Sequence, residues 1–357
     1  MAGGGASGGG VLVVTADPEL LEEVSRLAAA AGTEVHVATE PAGSVAAWAA
    51  ACVVVVGGAS AAAVAAAGLP RRRDVVVVDL VPDESLWRAA VAAGADEVMT
   101  LPEDDDRLVA LLAGAGAAPS REGVVIGVVG GRGGAGASVL AASSALAATR
   151  AGARVLLVDA DPLGGGLDLV LGAEDAEGLR WPDLRQARGR VSAEALEAAL
   201  PRPQALTVLS WDRGDVVTLP VEPVRAVIDA GRRGFDLVVV DLPRRPDEAG
   251  ALVLGEAAAC WLVVPREVRA VAAACRTAAL LRPLTAGLAI VTRGPAPTGL
   301  GPEDAAEAVG APFLLDLPVE KGLAAALDRG EPMRRRGPLA RAAAALVAPW
   351  LPASEAS

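Results

Sequence analysis

The chain has 357 residues, 53% hydrophobic but only 2% aromatic, with a formal net charge of −12 at pH 7. That length admits two domains with well-buried cores, and the acidic balance argues against non-specific nucleic-acid binding. Cys52, Cys260 and Cys275 are odd in number, far apart and without a CxxC pair, so they read as reduced core thiols of a cytoplasmic protein and exclude a disulfide framework or a zinc site.

Residues 1–10 are Gly, Ala and Ser after the first Met and read as a disordered tail with no secretory signal. The pattern then alternates: strand 11–15, helix 18–31, strand 34–37, helix 42–50, strand 53–56, helix 59–67, strand 75–79, helix 84–93, strand 97–100 and helix 104–113. Strands separated by short helices predict a parallel sheet. Residues 41–70 carry no charge. The valine run 53–56 followed by Gly57-Gly58 divides them into helix, strand, turn and helix, so a membrane span is not expected. The first domain is placed at 11–113, and the Gly/Ala/Pro/Ser-rich stretch 114–122 is the expected linker.

The second domain, 123–357, repeats the alternation on a larger scale. Strands are expected at 124–129, 154–159, 206–210, 237–241, 260–264, 288–292 and 313–315. Helices are expected at 138–150, 221–231, 248–258, 269–281 and 302–309, and a tail at 322–351 in two helical pieces broken around 332–338. This is a doubly wound α/β pattern, which binds ligands at the carboxyl ends of its strands.

Between the first strand and the first helix of this domain stands Gly130-Gly131-Arg132-Gly133-Gly134-Ala135-Gly136-Ala137-Ser138. A glycine-rich turn opening a helix converges bare N–H groups on an anion, and the helix dipole favours negative charge there. The usual phosphate loop ends in Gly-Lys-Ser/Thr, its Lys reaching the phosphates and its hydroxyl reaching Mg²⁺. Ser138 is present, but the Lys position is Ala137, and the only lysine of the chain is Lys321. The loop keeps its cradle and its metal hydroxyl and lacks its central cation, which predicts nucleotide binding with impaired hydrolysis. Three acids stand at strand ends: Asp159 and Asp161 in Val158-Asp159-Ala160-Asp161, and Asp241 after Val238-Val239-Val240. Asp241 beside a phosphate loop has the Walker B arrangement and is, with Ser138 and Asp161, a candidate Mg²⁺ ligand. A rival reading is open: Gly131-x-Gly133-x-x-Gly136 with Asp159 also fits the fingerprint of an NAD(P)-binding Rossmann oxidoreductase.

These motifs resemble the ParA/MinD family of deviant Walker ATPases over residues 124–333. The family's Lys-Gly-Gly-x-Gly-Lys-Ser/Thr stands here as Arg132-Gly133-Gly134-Ala135-Gly136-Ala137-Ser138, with both lysines replaced. Its Val-Asp-x-Asp is Val158-Asp159-Ala160-Asp161, and its Asp-Thr/Cys-Pro is Asp241-Leu242-Pro243. Its adenine-side Asn-Arg becomes Thr292-Arg293, and its closing turn resembles Ala326-Leu327-Asp328-Arg329-Gly330-Glu331-Pro332. The resemblance implies that ATP or ADP with Mg²⁺ is held by Gly131, Arg132, Gly133, Gly134, Ala135, Gly136, Ala137, Ser138 and Val139, with Thr292, Arg293 and Pro318 as further nucleotide-binding positions. It also implies a nucleotide-dependent homodimer in which Arg132 reaches the phosphates of the facing subunit. In an active ATPase, the alternative, Arg132 and Asp161 would be the catalytic pair, Asp161 orienting water.

The first domain resembles a CheY-like receiver, a flavodoxin-like parallel sheet, that has lost its chemistry. Asp17 stands at the acidic pocket, Gly57 at the phosphoacceptor position, Asp79 at the Ser/Thr position, and Leu101 before Pro102 where a Lys is usual. The order of pseudo-receiver and lysine-poor P-loop domain resembles CpaE/TadZ proteins, including the actinobacterial septum site-determining kind. That implies a spatial regulator of septum placement or of polar pilus assembly. Its partners would be proteins of cell division or of pilus or secretion assembly. It would be cytoplasmic, at most in weak peripheral contact with the plasma membrane at septum or pole.

Other residues carry less. His36, the only histidine, excludes a Ser-His-Asp arrangement and reads as structural. The six Trp are expected in the cores. The acidic run 103–106 is a solvated helix start, and Arg71-Arg72-Arg73 reads as solvated charge. Arg334-Arg335-Arg336 before the apolar stretch 339–351 could seat a helix on an anionic membrane. The stretch is Ala-rich with only Arg341 as a cation, so docking on its own domain is expected instead.

Overall fold

The computed structural model describes residues 10–352 apart from 42–44, 71, 73, 82–83, 117–121, 185–190, 215–219 and 335. Most of the expected tail, the core of the expected linker, the start of the helix expected at 42–50, and Arg71, Arg73 and Arg335 lie outside the described residues. The chain divides into two compact units, Met1–Ser120 and Arg121–Ser357.

In the first unit β1 (Val11–Val14), β2 (Val35–Ala38), β3 (Val53–Gly57), β4 (Val75–Asp79) and β5 (Glu97–Thr100) form a parallel sheet in the order β2-β1-β3-β4-β5. The valine runs explain it. Alternate side chains of a strand face opposite sides, and here both sides are covered. Val11, Val13, Val53 and Val55 face the helices Pro18–Ala30 and Asp105–Gly116, while Leu12, Val14, Val54 and Val56 face the helices Val45–Ala50, Gly58–Ala66 and Glu84–Ala93. The edge strand β2 is largely exposed, His36 with it. The uncharged segment is thus helix, strand and helix, and no helix among the described residues is long and apolar enough to cross a membrane.

In the second unit β6 (Val124–Gly130), β7 (Val155–Asp159), β8 (Thr207–Leu209), β9 (Leu237–Leu242), β10 (Ala259–Pro265), β11 (Leu288–Arg293) and β12 (Phe313–Leu317) form a second parallel sheet, ordered β12-β11-β10-β6-β9-β7-β8. The helix Ala137–Arg150 is buried continuously from Leu140 to Ala148 against one face of the sheet, as a helix apolar all round must be. Over it packs the C-terminal helix Pro338–Val347, which buries Leu339, Ala343, Leu346 and Val347 in the same core. Its apolar face is therefore engaged by its own domain, as expected, and is not available to a bilayer. The opposite face of the sheet carries the helices Val221–Gly234, Glu248–Glu256 and Val268–Leu281.

Two features depart from the sequence reading. Three short helices, Leu167–Leu171, Trp181–Leu184 and Ala193–Ala199, fill the connection from β7 to β8; helices of four to seven residues are too short to print a 3.6-residue period. Trp48, Trp181 and Trp261 are core residues, but Trp87 is 56% exposed.

Candidate functional site: a lysine-less phosphate loop beside buried acids

Strand order places the site. The connection leaving β6 runs toward β7 and that leaving β10 runs toward β11, so the switch point lies between β6 and β10, where α/β sheets open a crevice. The loop 131–136 is there: Gly131 N–H donates to the Val263 carbonyl of β10 at 2.8 Å. A Cβ on Gly131 would lie 2.9 Å from that of Ala274, so only glycine allows this approach. Gly136 has φ +97° and begins the helix, its carbonyl accepting from Leu140 N–H at 3.0 Å. Around Gly133 and Gly134 the space is open to 4 Å. The loop therefore has glycine where backbone geometry demands it and open backbone where an anion would approach.

Ser138 stands in the first helical turn, and its hydroxyl donates to Asp241 of β9. In the sheet register Asp241 stands beside Val128 of β6 and Asp159 of β7. Burial raises the Asp241 carboxyl to about 7, and the charges of Asp159 and Asp161 push the same way against the Ser138 hydrogen bond. Burial also raises Asp159 to about 6, opposed by hydrogen bonds from Leu167 N–H, Asp161 N–H and the Ser210 hydroxyl. A desolvated carboxylate that already accepts from a hydroxyl one turn into a phosphate-loop helix fits a Mg²⁺ ion, which takes few protein ligands and keeps its waters. No dedicated cage of His, Cys, Asp and Glu occurs among the described residues.

Asp159 is differently employed. Its Oδ2 accepts from Leu167 N–H at 2.9 Å and Ser210 Oγ at 3.1 Å, and its Oδ1 from Asp161 N–H at 3.2 Å. It ties the loop after β7 to the end of β8. Asp161 is half-buried and accepts from Leu163 N–H at 3.0 Å. This corrects the dinucleotide alternative. A Rossmann domain sets its second strand beside its first, whereas β9 intervenes here between β6 and β7, and the would-be ribose acid is 2% exposed.

Arg132 Nη2 donates to Glu267 Oε1 at 2.8 Å, Glu267 being the residue before the helix Val268–Leu281. Thr292 is fully buried, its hydroxyl committed to Asp316 Oδ1 at 2.8 Å, so it presents no side chain to a base. Arg293 ends β11 and comes over the loop: a Cβ on Gly136 would lie 3.1 Å from Arg293 Nη1. Val139 and Pro318 are half-buried, Val139 in the first turn after the loop and Pro318 just past β12. Sequence reasoning missed Glu267, Ser210 and buried Asp168, which pairs with Arg213 at 3.1 Å. The run Gly164-Gly165-Gly166 before Asp168 was the one available signal for that region.

In the first unit the space at the expected phosphoacceptor position is filled. A Cβ on Gly57 would lie 2.4 Å from Thr15 Oγ1 and 3.0 Å from Leu20 Cδ2. Leu101 is buried in the core. Asp17 caps the helix Pro18–Ala30, accepting from Glu19 and Leu20 N–H. Arg72 is no solvated patch, since its guanidinium donates to the carbonyls of Trp48, Ala51 and Cys52.

Comparisons with known proteins agree with both halves. A family model described as "Rv3660c-like, CheY-like N-terminal domain" matches residues 14–124. The uncharacterized protein Rv3660c of Mycobacterium tuberculosis (strain H37Rv) is 46% identical over 261 residues, 72% of this chain and 73% of that one. Among solved structures, a ParA family ATPase from Chlorobium tepidum covers 64% of this chain and 99% of its own, with a TM-score of 0.57 at 20% identity. MinD from Aquifex aeolicus in a MinC:MinD cell division complex covers 63% and 95%, with 0.52 at 24%. MinD from Pyrococcus horikoshii complexed with Mg-ADP covers 62% and 93%, with 0.52 at 20%. At these identities the solved structures establish the fold of the second unit. The chain belongs to the Rv3660c-like family, and in it a CheY-like N-terminal domain is followed by a unit with the fold seen in ParA and MinD structures.

Proposed function

We propose that the second unit binds ATP or ADP with Mg²⁺ and works as a nucleotide-gated protein-interaction switch with weak or absent hydrolysis. The observation that carries this reading is the Ser138 hydroxyl donating to buried Asp241 beside an open glycine loop whose lysine position is Ala137. Mg-ADP in a protein of the same fold supports the ligand, and the MinC:MinD complex supports a protein partner. In this reading the loop amides orient the phosphates, Ser138 and Asp241 hold the metal, and Asp161 stands beside them to orient water. The metal supplies charge neutralisation at the phosphates when bound. The biological role proposed is spatial regulation of cell division, at the septum, or of polar pilus or secretion assembly, from the cytoplasm. Arg132, where the family has its signature lysine, would serve a nucleotide-dependent homodimer.

The missing lysine costs a charge-assisted contact of about 1.5–3 kcal/mol, roughly 10–150-fold in affinity. Calorimetric titration with Mg-ATP should therefore show binding in the micromolar to millimolar range that Asp241→Ala weakens strongly. Binding indifferent to Asp241→Ala, or none at millimolar ATP, removes the site assignment.

A further inference from the structure

We propose that Arg293 supplies in cis the positive charge at the phosphates that the P-loop lysine supplies elsewhere and that Ala137 cannot; this rests on the nucleotide-binding reading above. The ligand class is a nucleoside di- or triphosphate. Three observations converge. Arg293 lies at the carboxyl end of β11, and its Nη1 is so close to the loop that a Cβ on Gly136 would meet it at 3.1 Å, with Cδ at 3.8 Å and Cζ at 3.9 Å. Its neighbours at this end of the sheet are neutralised: Arg132 by Glu267, and Arg266 by Asp316 at 3.0 Å. The Arg293 guanidinium has no hydrogen-bond or ion-pair partner among the described residues, and its buried Nε is unpartnered.

A part-buried guanidinium without an anion is costly. The nearest built anion site is the loop it covers, and that loop is short of one cation. The two anomalies answer each other: a phosphate in the cradle would give Arg293 its missing partner, and Arg293 would give the cradle its missing charge. A planar guanidinium also suits phosphate oxygens. This differs from the base-side role that the Thr292-Arg293 position implies, because committed Thr292 offers the base nothing while Arg293 faces Gly136.

The test is a double-mutant cycle on the full chain, with calorimetric ADP affinity as the readout in the parent, Arg293→Gln, Ala137→Lys and the double variant. The expected result is a loss of about tenfold or more on Arg293→Gln, with Ala137→Lys restoring affinity in that background by far more than it adds to the parent. Additive effects in the cycle, or unchanged ADP affinity in Arg293→Gln, overturn the proposal and leave nucleotide binding standing. A parent that binds no ADP at millimolar concentration ends both. Arg293→Lys carries the comparison if the neutral variant does not fold: retained ADP affinity supports the charge role, and its loss overturns it.

Discussion

Asp241 shows most sharply what burial does to a single side chain. Its carboxyl is raised to about 7, from an ordinary value of about 4. A group whose pKa is raised on folding contributes its full stability below the unfolded value and loses it as pH rises through the folded value. In the absence of Mg²⁺, Asp241→Asn should therefore stabilise the protein relative to the parent at pH 8, by up to about 4 kcal/mol. The gain should vanish by about pH 4. Urea titrations in a chelator at the two pH values measure it, and a pH-independent difference contradicts the assignment of burial as the cause. Arg132 is governed by a weaker force. Its pair with Glu267 leaves both side chains about one-third exposed, at 36%, so the pair is worth about 0.2–1 kcal/mol. Glu267→Gln should release Arg132 and raise any ATP-dependent dimerisation by up to about fivefold. Arg132→Ala should abolish it, as light scattering would record. Dimerisation unaffected by either change makes Arg132 a loop residue without a role in trans.

Among the elements, the loop–helix junction after β6 and the end of β3 are built on opposite principles. At Gly133 and Gly134 glycines leave backbone exposed to open space; at Gly57 the glycine is there because Thr15 and Leu20 occupy the volume a side chain would need. Gly57→Ala should accordingly destabilise the first unit by about 1–3 kcal/mol through overpacking. The lost chemistry cannot be restored by one carboxylate. Gly57→Asp treated with acetyl phosphate should gain no phosphoryl mass, because Leu101 is buried where a cation is required. A stable adduct within residues 11–116 would show that the pocket can reopen. The C-terminal helix illustrates the same economy of faces: its leucines pack on the helix behind the phosphate loop, and its outward side is largely alanine with Arg341.

For the whole molecule, every residue of the candidate nucleotide site lies in the second of the two compact units, so the ligand response is read there. At a hundred times Kd, Mg-ATP should stabilise the unit that binds it by about 2.7 kcal/mol. Hydrogen exchange should then slow across the loop and helix at 130–150 and at the ends of β7 and β9. Protection concentrated in the first unit would place the nucleotide elsewhere.

Much of this was legible in the chain because it is local. Valine runs wrote the parallel strands, Gly130 to Ser138 wrote a glycine-rich strand–loop–helix junction with no lysine, and Asp159, Asp161 and Asp241 announced themselves at strand ends. What stayed hidden depends on which strands lie side by side. The insertion of β9 between β6 and β7 decided against a dinucleotide fold and brought Asp241 to Ser138. The Arg132–Glu267 pair joins residues 135 apart in sequence, and Ser210 reaches Asp159 across 51. Arg293 is visible as one half of a motif, but only the packing of β11 beside β10, and of β10 beside β6, carries its guanidinium over Gly136. Local sequence sets backbone conformation through sterics and periodicity. Charges distant in the chain come together only when the sheet order is settled, because that order is fixed by the burial of whole faces and no single residue records it.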